Sequence, residues 1–114
     1  MPRSAEAYLA DIIDACRLIG NFLEGVDLAA YLDSDEKRSA VERQFLIVGE
    51  AVAALRRQSP ELAESISQSR FIVGFRNMLA HDYAAVDDEA VYGIAIGDVP
   101  PLLRECEALL RAAD

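Results

Sequence analysis

Residues 34–58 read SDEKRSAVERQFLIVGEAVAALRRQ, and within them Val41, Phe45, Val48, Val52 and Leu55 fall at alternating steps of four and three. That spacing lines five apolar side chains along one stripe of an α-helix, the seam expected where helices pack nearly parallel or antiparallel. Asp33, followed three residues later by Glu36, predicts an N-cap with a capping-box partner, opening a helix over about Ser34 to Gln58. So long a seam is also a reason to expect a second copy of the chain.

Outward from this helix the period of 3.6 persists. On the N-terminal side Tyr8, Ile12, Ala15, Cys16, Ile19, Phe22, Leu23 and Val26 form one face, while Glu6, Asp11, Asp14, Arg17 and Asn21 fill the other. The stretch from Gly25 to Asp35 breaks the pattern. On the C-terminal side Ser59-Pro60 predicts a short helix to about Gln68, with the proline in the first turn, where its missing N–H does no harm. A fourth helix is expected from about Phe71 to His81, with Phe71, Ile72, Phe75 and Leu79 on one side. Asp87 or Asp88 caps a fifth, which Gly93, Gly97 and Pro100-Pro101 interrupt before Leu102 to Ala113 resumes. No segment alternates with a period of two. The chain is expected to be all-α, an up-and-down bundle of four to five helices.

With 114 residues, 53% hydrophobic, 6 Gly and 4 Pro, residues 1–114 have the size of one domain, too small for separate catalytic and regulatory units. The longest apolar runs are far below the roughly 18–20 residues that span a bilayer, so no membrane is implied. Glu6 and Asp11 precede any apolar stretch that could serve as a secretory signal. Cys16 and Cys106 each sit in an apolar helical pattern, as core residues of a reducing compartment do, and a cytoplasmic location is expected. Neither has a second Cys or a His near enough in sequence to suggest a metal site, and no cofactor is expected.

The net charge of −9 argues against broad duplex binding, which needs many cations along the phosphates. Its distribution is uneven: residues 1–36 carry −6, residues 37–81 carry +3 and residues 82–114 carry −6. The middle third is where an anion would be welcome.

That third ends in Arg76-Asn77-Met78-Leu79-Ala80-His81-Asp82-Tyr83, which holds the single histidine of the chain. A cation, an amide, an imidazole, a carboxylate and a phenol fall within eight residues. In the plainest reading His81 caps carbonyls at a helix end and Arg76 pairs with Asp82. At about 100° per residue Arg76 and Tyr83 share a face, whereas His81 is turned about 140° from Arg76. Either the helix unwinds near His81, or a second copy completes the site. Elsewhere, Glu50 reads as buried and hydrogen-bonded in the core or across a dimer seam, with a buried catalytic acid as the alternative. Arg43 and Arg70 are candidates to extend the anion-binding surface. Gly49 and Gly74, inside helical patterns, read as points of close helix approach.

The spacing Arg76, four residues, His81, one residue, Tyr83 resembles the Arg-x-x-x-x-His-x-Tyr motif of the HEPN superfamily, with Asn77 in the polar position after the arginine. Residues Arg43 to Ala51, Ile72 to Asn77, Val86-Asp87 and Val99 to Leu102 resemble the HepT toxins within it, so the likeness covers almost the whole chain. One departure is that Ser67, Gln68 and Ser69 stand where the family tends to carry an aromatic residue before Gly74. The resemblance implies a single HEPN domain that is a homodimeric, metal-independent endoribonuclease, with Arg76 and His81 catalytic and Asn77 and Tyr83 touching the RNA. It further implies a toxin–antitoxin pair, in which an MNT-type nucleotidyltransferase antitoxin silences the toxin by AMPylation of Tyr83. Another class of function fits the same fold, a non-catalytic HEPN dimer that binds a nucleotide or a protein; a purely structural dimerisation module is a third reading. Acid–base residues in the motif favour the nuclease.

Overall fold

Ser4 opens the first helix by accepting the Ala7 N–H on its hydroxyl at 3.1 Å, which satisfies one of the amides a helix start leaves unpaired. The computed structural model describes residues 3–81, 84 and 86–113. Helix α1 spans Ala5–Leu23 and buries Leu9, Ile12, Ile13, Ala15, Cys16, Ile19 and Leu23. Tyr8 and Phe22, expected on that stripe, are half-buried at its margins, and Leu9 and Ile13 take the core instead. Gly25 then turns the chain at φ 72°, in the left-handed region that costs a glycine little.

The next stretch holds a helix where a break in the pattern is expected. Asp27 caps α2, Leu28–Leu32, by accepting the Ala30 N–H at 2.8 Å. Five residues are too few to display a period. Tyr31 of α2 is fully buried, its ring 5.4 Å from that of Tyr92. Helix α3 spans Asp35–Gln58, and its cap is Ser34, whose hydroxyl accepts the Lys37 N–H at 3.1 Å. Asp33, the expected cap, closes α2 instead, its N–H donating to the Ala29 carbonyl at 3.1 Å. Asp35 and Glu36 in the first turn of α3, with Arg56 and Arg57 in the last, complement the helix dipole.

Helix α4, Pro60–Glu64, begins on its proline as expected and ends short of Gln68. Ser67 donates its amide and hydroxyl to the carboxylate of Glu105, and Ser69 is buried. Helix α5 spans Ser69–His81 and α6 spans Asp88–Gly97, with the Asp87 carboxylate accepting the Glu89 and Ala90 N–H groups. Gly93 does not interrupt α6. Helix α7, Val99–Ala112, carries Pro100 and Pro101 in its first turn rather than ahead of it, where they forfeit no intrahelical bond. The described residues thus form seven helices and no strand, the all-α class expected; α2 is the helix not expected, and the interrupted fifth helix is two, α6 and α7.

Helix α3 packs against both α1 and α5, while α1 also packs against α7 and α6 packs on α7. The seam Val41, Phe45, Val48, Val52 and Leu55 is at most 6% exposed. It is covered by the chain's own helices, so it supplies no reason for a second copy, contrary to expectation. Cys16 of α1 and Cys106 of α7 are free and buried, and loss of water pushes each thiol up to about 12. An ion pair between Arg17 and Glu107 at 2.7 Å joins the same two helices. No helix among the described residues is long and apolar enough to cross a membrane.

Candidate functional site

The rotation of α5 is set by its apolar residues. Leu79 is buried, and Phe75 meets Phe45 of α3 edge-on with ring centroids 5.1 Å apart. Phe71, expected on the same buried side, is 47% exposed and stacks on Phe75 at 6.0 Å. With Phe75 against α3, the next residue, Arg76, also lies against α3, at Gly49. A Cβ added to Gly49 would stand 2.1 Å from Cβ of Arg76 and 2.4 Å from its Cγ. Gly49 is therefore a point of close helix approach, as expected, whereas a Cβ on Gly74 would meet nothing within 4 Å.

The Arg76 side chain is 21% exposed, and its Nε–H is covered without an acceptor among the described residues. Its Nη1 lies 3.6 Å from Oε2 of Glu50, the residue after Gly49. The Glu50 side chain is 76% exposed, which corrects the expectation of a carboxylate buried in the chain's own core: its position on α3 points away from the core seam. A pair this open to water contributes little to stability.

Helix α5 continues unbroken to His81, so the helix does not unwind between Arg76 and His81. Five helical residues separate the two by about 7.5 Å along the axis and about 140° around it. Arg76 is packed on α3; His81 is exposed in the last turn, and Asn77 is exposed beside Arg76. Neither His81 nor Asn77 has a side-chain hydrogen bond among the described residues. Asp82 and Tyr83 lie outside the described residues, so the expected pairing of Asp82 and the position of the Tyr83 phenol do too.

Glu50 also lines a groove of about 610 Å³ between α1 and α3, together with Arg43, Ile47 and Arg57 of α3 and Tyr8 and Asp11 of α1. Arg3 joins this rim, its guanidinium 5.1 Å from the Tyr8 ring centroid and hydrogen-bonded to Asp11. The pairing with Asp11 favours the charged guanidinium and raises its already high pKa. Arg43 and Arg57 make no ion pair among the described residues, while Arg70 pairs with Glu64 at 3.5 Å and does not line the groove. Residues 43, 47, 50, 54 and 57 repeat the four-three spacing of the core seam on the other side of α3. That second stripe was the available signal for Arg57, which the sequence reading leaves out.

Arg43, Arg57 and Arg76 all come from the cationic middle third of the chain. Arg43 and Arg57 offer guanidinium donors to an anion in the groove, and Arg76 stands beside its Glu50, on a helix that ends in an exposed imidazole. Guanidinium is suited to phosphate because its planar fork presents fixed donors. Within one chain Arg76 and His81 face different directions, so the two do not form one site by themselves.

The sequence matches the Ribonuclease HepT-like family over residues 12–109. A protein of Methanocaldococcus jannaschii provisionally named RNase MJ1380 is 29% identical over 105 residues, covering 92% of this chain and 95% of its own. A protein of Thermococcus cleftensis, provisionally named ribonuclease HepT, is 30% identical over 109 residues, covering 96% and 98%. A third, from Caldanaerobacter subterraneus subsp. tengcongensis and provisionally named RNase TTE0752, is 22% identical over 109 residues. No solved structure gives a significant match.

Proposed function

The chain belongs to the HepT-like ribonuclease family, and from that premise we propose that it is a metal-independent endoribonuclease that acts as a homodimer, with Arg76 and His81 as its catalytic pair. The observation that carries this reading is their disposition on α5: a guanidinium lodged against α3, its Nη1 3.6 Å from Glu50 of the groove, and an exposed imidazole about 140° away on the same unbroken helix.

Cleavage of RNA without a metal needs a base, an acid and positive charge on the crowded phosphate. The base takes the proton of the 2′-hydroxyl, O2′ forms a bond to phosphorus, and the bond from phosphorus to O5′ breaks as the acid protonates O5′. The products are a 2′,3′-cyclic phosphate and a 5′-hydroxyl. Histidine, with an unperturbed pKa near 6.5, serves as either acid or base at neutral pH. A chain with one histidine supplies one such group, and two copies about a two-fold axis supply two, along with two Arg76 guanidiniums for the developing charge. Asn77, exposed one residue from Arg76, and Tyr83 are the proposed RNA contacts.

In the same reading the protein is the toxin of a toxin–antitoxin pair, silenced by an MNT-type nucleotidyltransferase that transfers AMP to Tyr83. An adenylate adds bulk and about one negative charge, which would compete with RNA for Arg76 through charge-assisted hydrogen bonds.

The test is cleavage of single-stranded RNA by the purified protein in EDTA, with the ends analysed. Fragments ending in 2′,3′-cyclic phosphate are expected, from a protein that sediments as a dimer at micromolar concentration. Cleavage only with added divalent metal, or a monomer that cuts at full rate, would overturn the mechanism. RNA bound without cleavage would point to the non-catalytic module.

A further inference from the structure

We propose that Gly49 is the positioning residue for Arg76: its missing Cβ sets how closely α5 approaches α3, and so where the guanidinium emerges beside Glu50. The functional weight of this inference rests on the reading of Arg76 as catalytic, but the geometry stands apart from it. Helix α3 is long and otherwise rich in strong helix formers, and an interior glycine weakens a helix relative to alanine. At residue 49 the smallest side chain has a specific use. An added Cβ would come within 2.1 Å of Cβ of Arg76, a separation that no pair of carbon atoms tolerates without bonding. The obstructing atoms are at the root of the arginine, so a rotamer change cannot clear them. The helices must separate or slide, and Arg76 moves with its helix.

Neighbouring features hold the side chain once it is there. Nε is covered, leaving the terminal nitrogens as the exposed end, and Nη1 is directed toward Glu50 on the groove rim. Phe75 against Phe45 fixes α5 one residue before the contact. An arginine delivered this way is aimed by backbone packing, with little help from ion pairs. Preorganised charge of this kind is what stabilises a phosphate in its transition state, and small displacements of such a group are costly to rate.

The same distances define a reciprocal test. If residue 76 is glycine, a Cβ at position 49 has the α-carbon of residue 76 at 3.5 Å, an ordinary contact. Gly49→Ala is therefore expected to lower the melting temperature in the wild-type background and to raise it in the Arg76→Gly background, where only the gain in helix propensity remains. The reversal of sign is a readout that a general need for flexibility at residue 49 would not produce. A second readout follows the guanidinium directly: the covered Nε–H of Arg76, identified in proton–nitrogen spectra by its loss in Arg76→Lys, should shift or broaden in Gly49→Ala. In RNA cleavage Gly49→Ala should lower kcat by at least tenfold with KM changed less than threefold. If Gly49→Ala is too unstable to study, the comparison of Arg76→Gly with the double variant decides alone. Destabilisation by Gly49→Ala in both backgrounds, or an Nε–H resonance that stays in place, overturns the proposal. A wild-type protein that cuts no RNA while the melting temperatures still reverse sign would instead refute the nuclease reading and leave the placement of Arg76 intact.

Discussion

Tyr31 and Tyr92 lie with their rings 5.4 Å apart and tilted by 45°, yet their hydroxyls fare differently: Tyr92 donates to the Val26 carbonyl at 2.7 Å, while the buried Tyr31 hydroxyl has no partner among the described residues. A buried polar group without a partner costs about 1–3 kcal/mol, whereas a satisfied one contributes about 0.5–1.5 kcal/mol. Tyr31→Phe should therefore leave stability unchanged or raise it by about 1 kcal/mol, and Tyr92→Phe should lower it by a similar amount. Urea denaturation of the two variants checks the contrast, and equal losses in both would contradict it.

Glu42 stands close to this pair. Burial, and then the Asp88 carboxylate, raise its pKa, with Arg38 opposing them. A folded-state pKa above the unfolded value means that its contribution is fully present below the unfolded pKa and is lost as pH rises through the folded pKa. Glu42→Gln should remove that loss, so its melting temperature relative to wild type should be higher at pH 7 than at pH 4. Melts at the two pH values decide it, and a difference independent of pH would mean that Glu42 does not titrate differently on folding.

Cys16 and Cys106 should be inert in the folded protein. With both thiols near 12, only about one in 10⁴ is thiolate at pH 8, and the thiolate is the reactive form. A thiol reagent should find none in native protein and two after denaturation. Here too the folded pKa is raised, so stability should decline from about pH 9, where unfolded thiols ionise, upward through the native values. Rapid native labelling would show that α1 and α7 separate readily.

His81→Ala should lower cleavage by about 10²–10⁴-fold, the usual contribution of an acid–base group, with the melting temperature little changed because the side chain is exposed. Arg76→Ala should be comparably impaired through lost charge stabilisation. Initial rates on one RNA beside melting curves separate chemistry from folding, and retained cleavage in His81→Ala would dismiss the proposed role.

Coexpressed with an MNT-type nucleotidyltransferase, the wild-type chain should gain mass in steps of one adenylate and lose activity, and Tyr83→Phe should gain none while still folding. Intact-mass spectrometry reads this directly. Modification that persists in Tyr83→Phe would move the acceptor elsewhere, and unmodified wild type would leave inhibition to occlusion by the partner.

What could be read in advance follows the length of each helix. Helices α1, α3 and α5 show enough turns for their apolar period to declare itself, and the order of helices follows from it. Helix α2 has five residues and no visible period, so the burial of Tyr31 could not be foreseen. Asp33 and Ser34 both suit an N-cap, and a short helix ending at Asp33 decided between them. For the site, spacing marks out Arg76 and His81, and Gly49 is recognisable as a place of close approach. That its neighbour is Arg76 depends on how α5 is rotated by Phe75 and Phe45, a tertiary matter. Periodicity likewise shows which residues are apolar together without showing what covers them: the seam of α3 suggested a second copy and is covered by α1 and α5, and Glu50, in an apolar run, faces water.

The packing of α1 against α7 bears on how the chain is made. Helix α1 packs against both α3 and α7, with Cys16 near Cys106, so a nascent chain on the ribosome leaves the α7-facing side of α1 uncovered until residues 99–112 have emerged. At about 5–20 residues per second, α1 waits several seconds for its cover. Chains stalled or truncated before Val99 should therefore be chaperone clients and protease substrates.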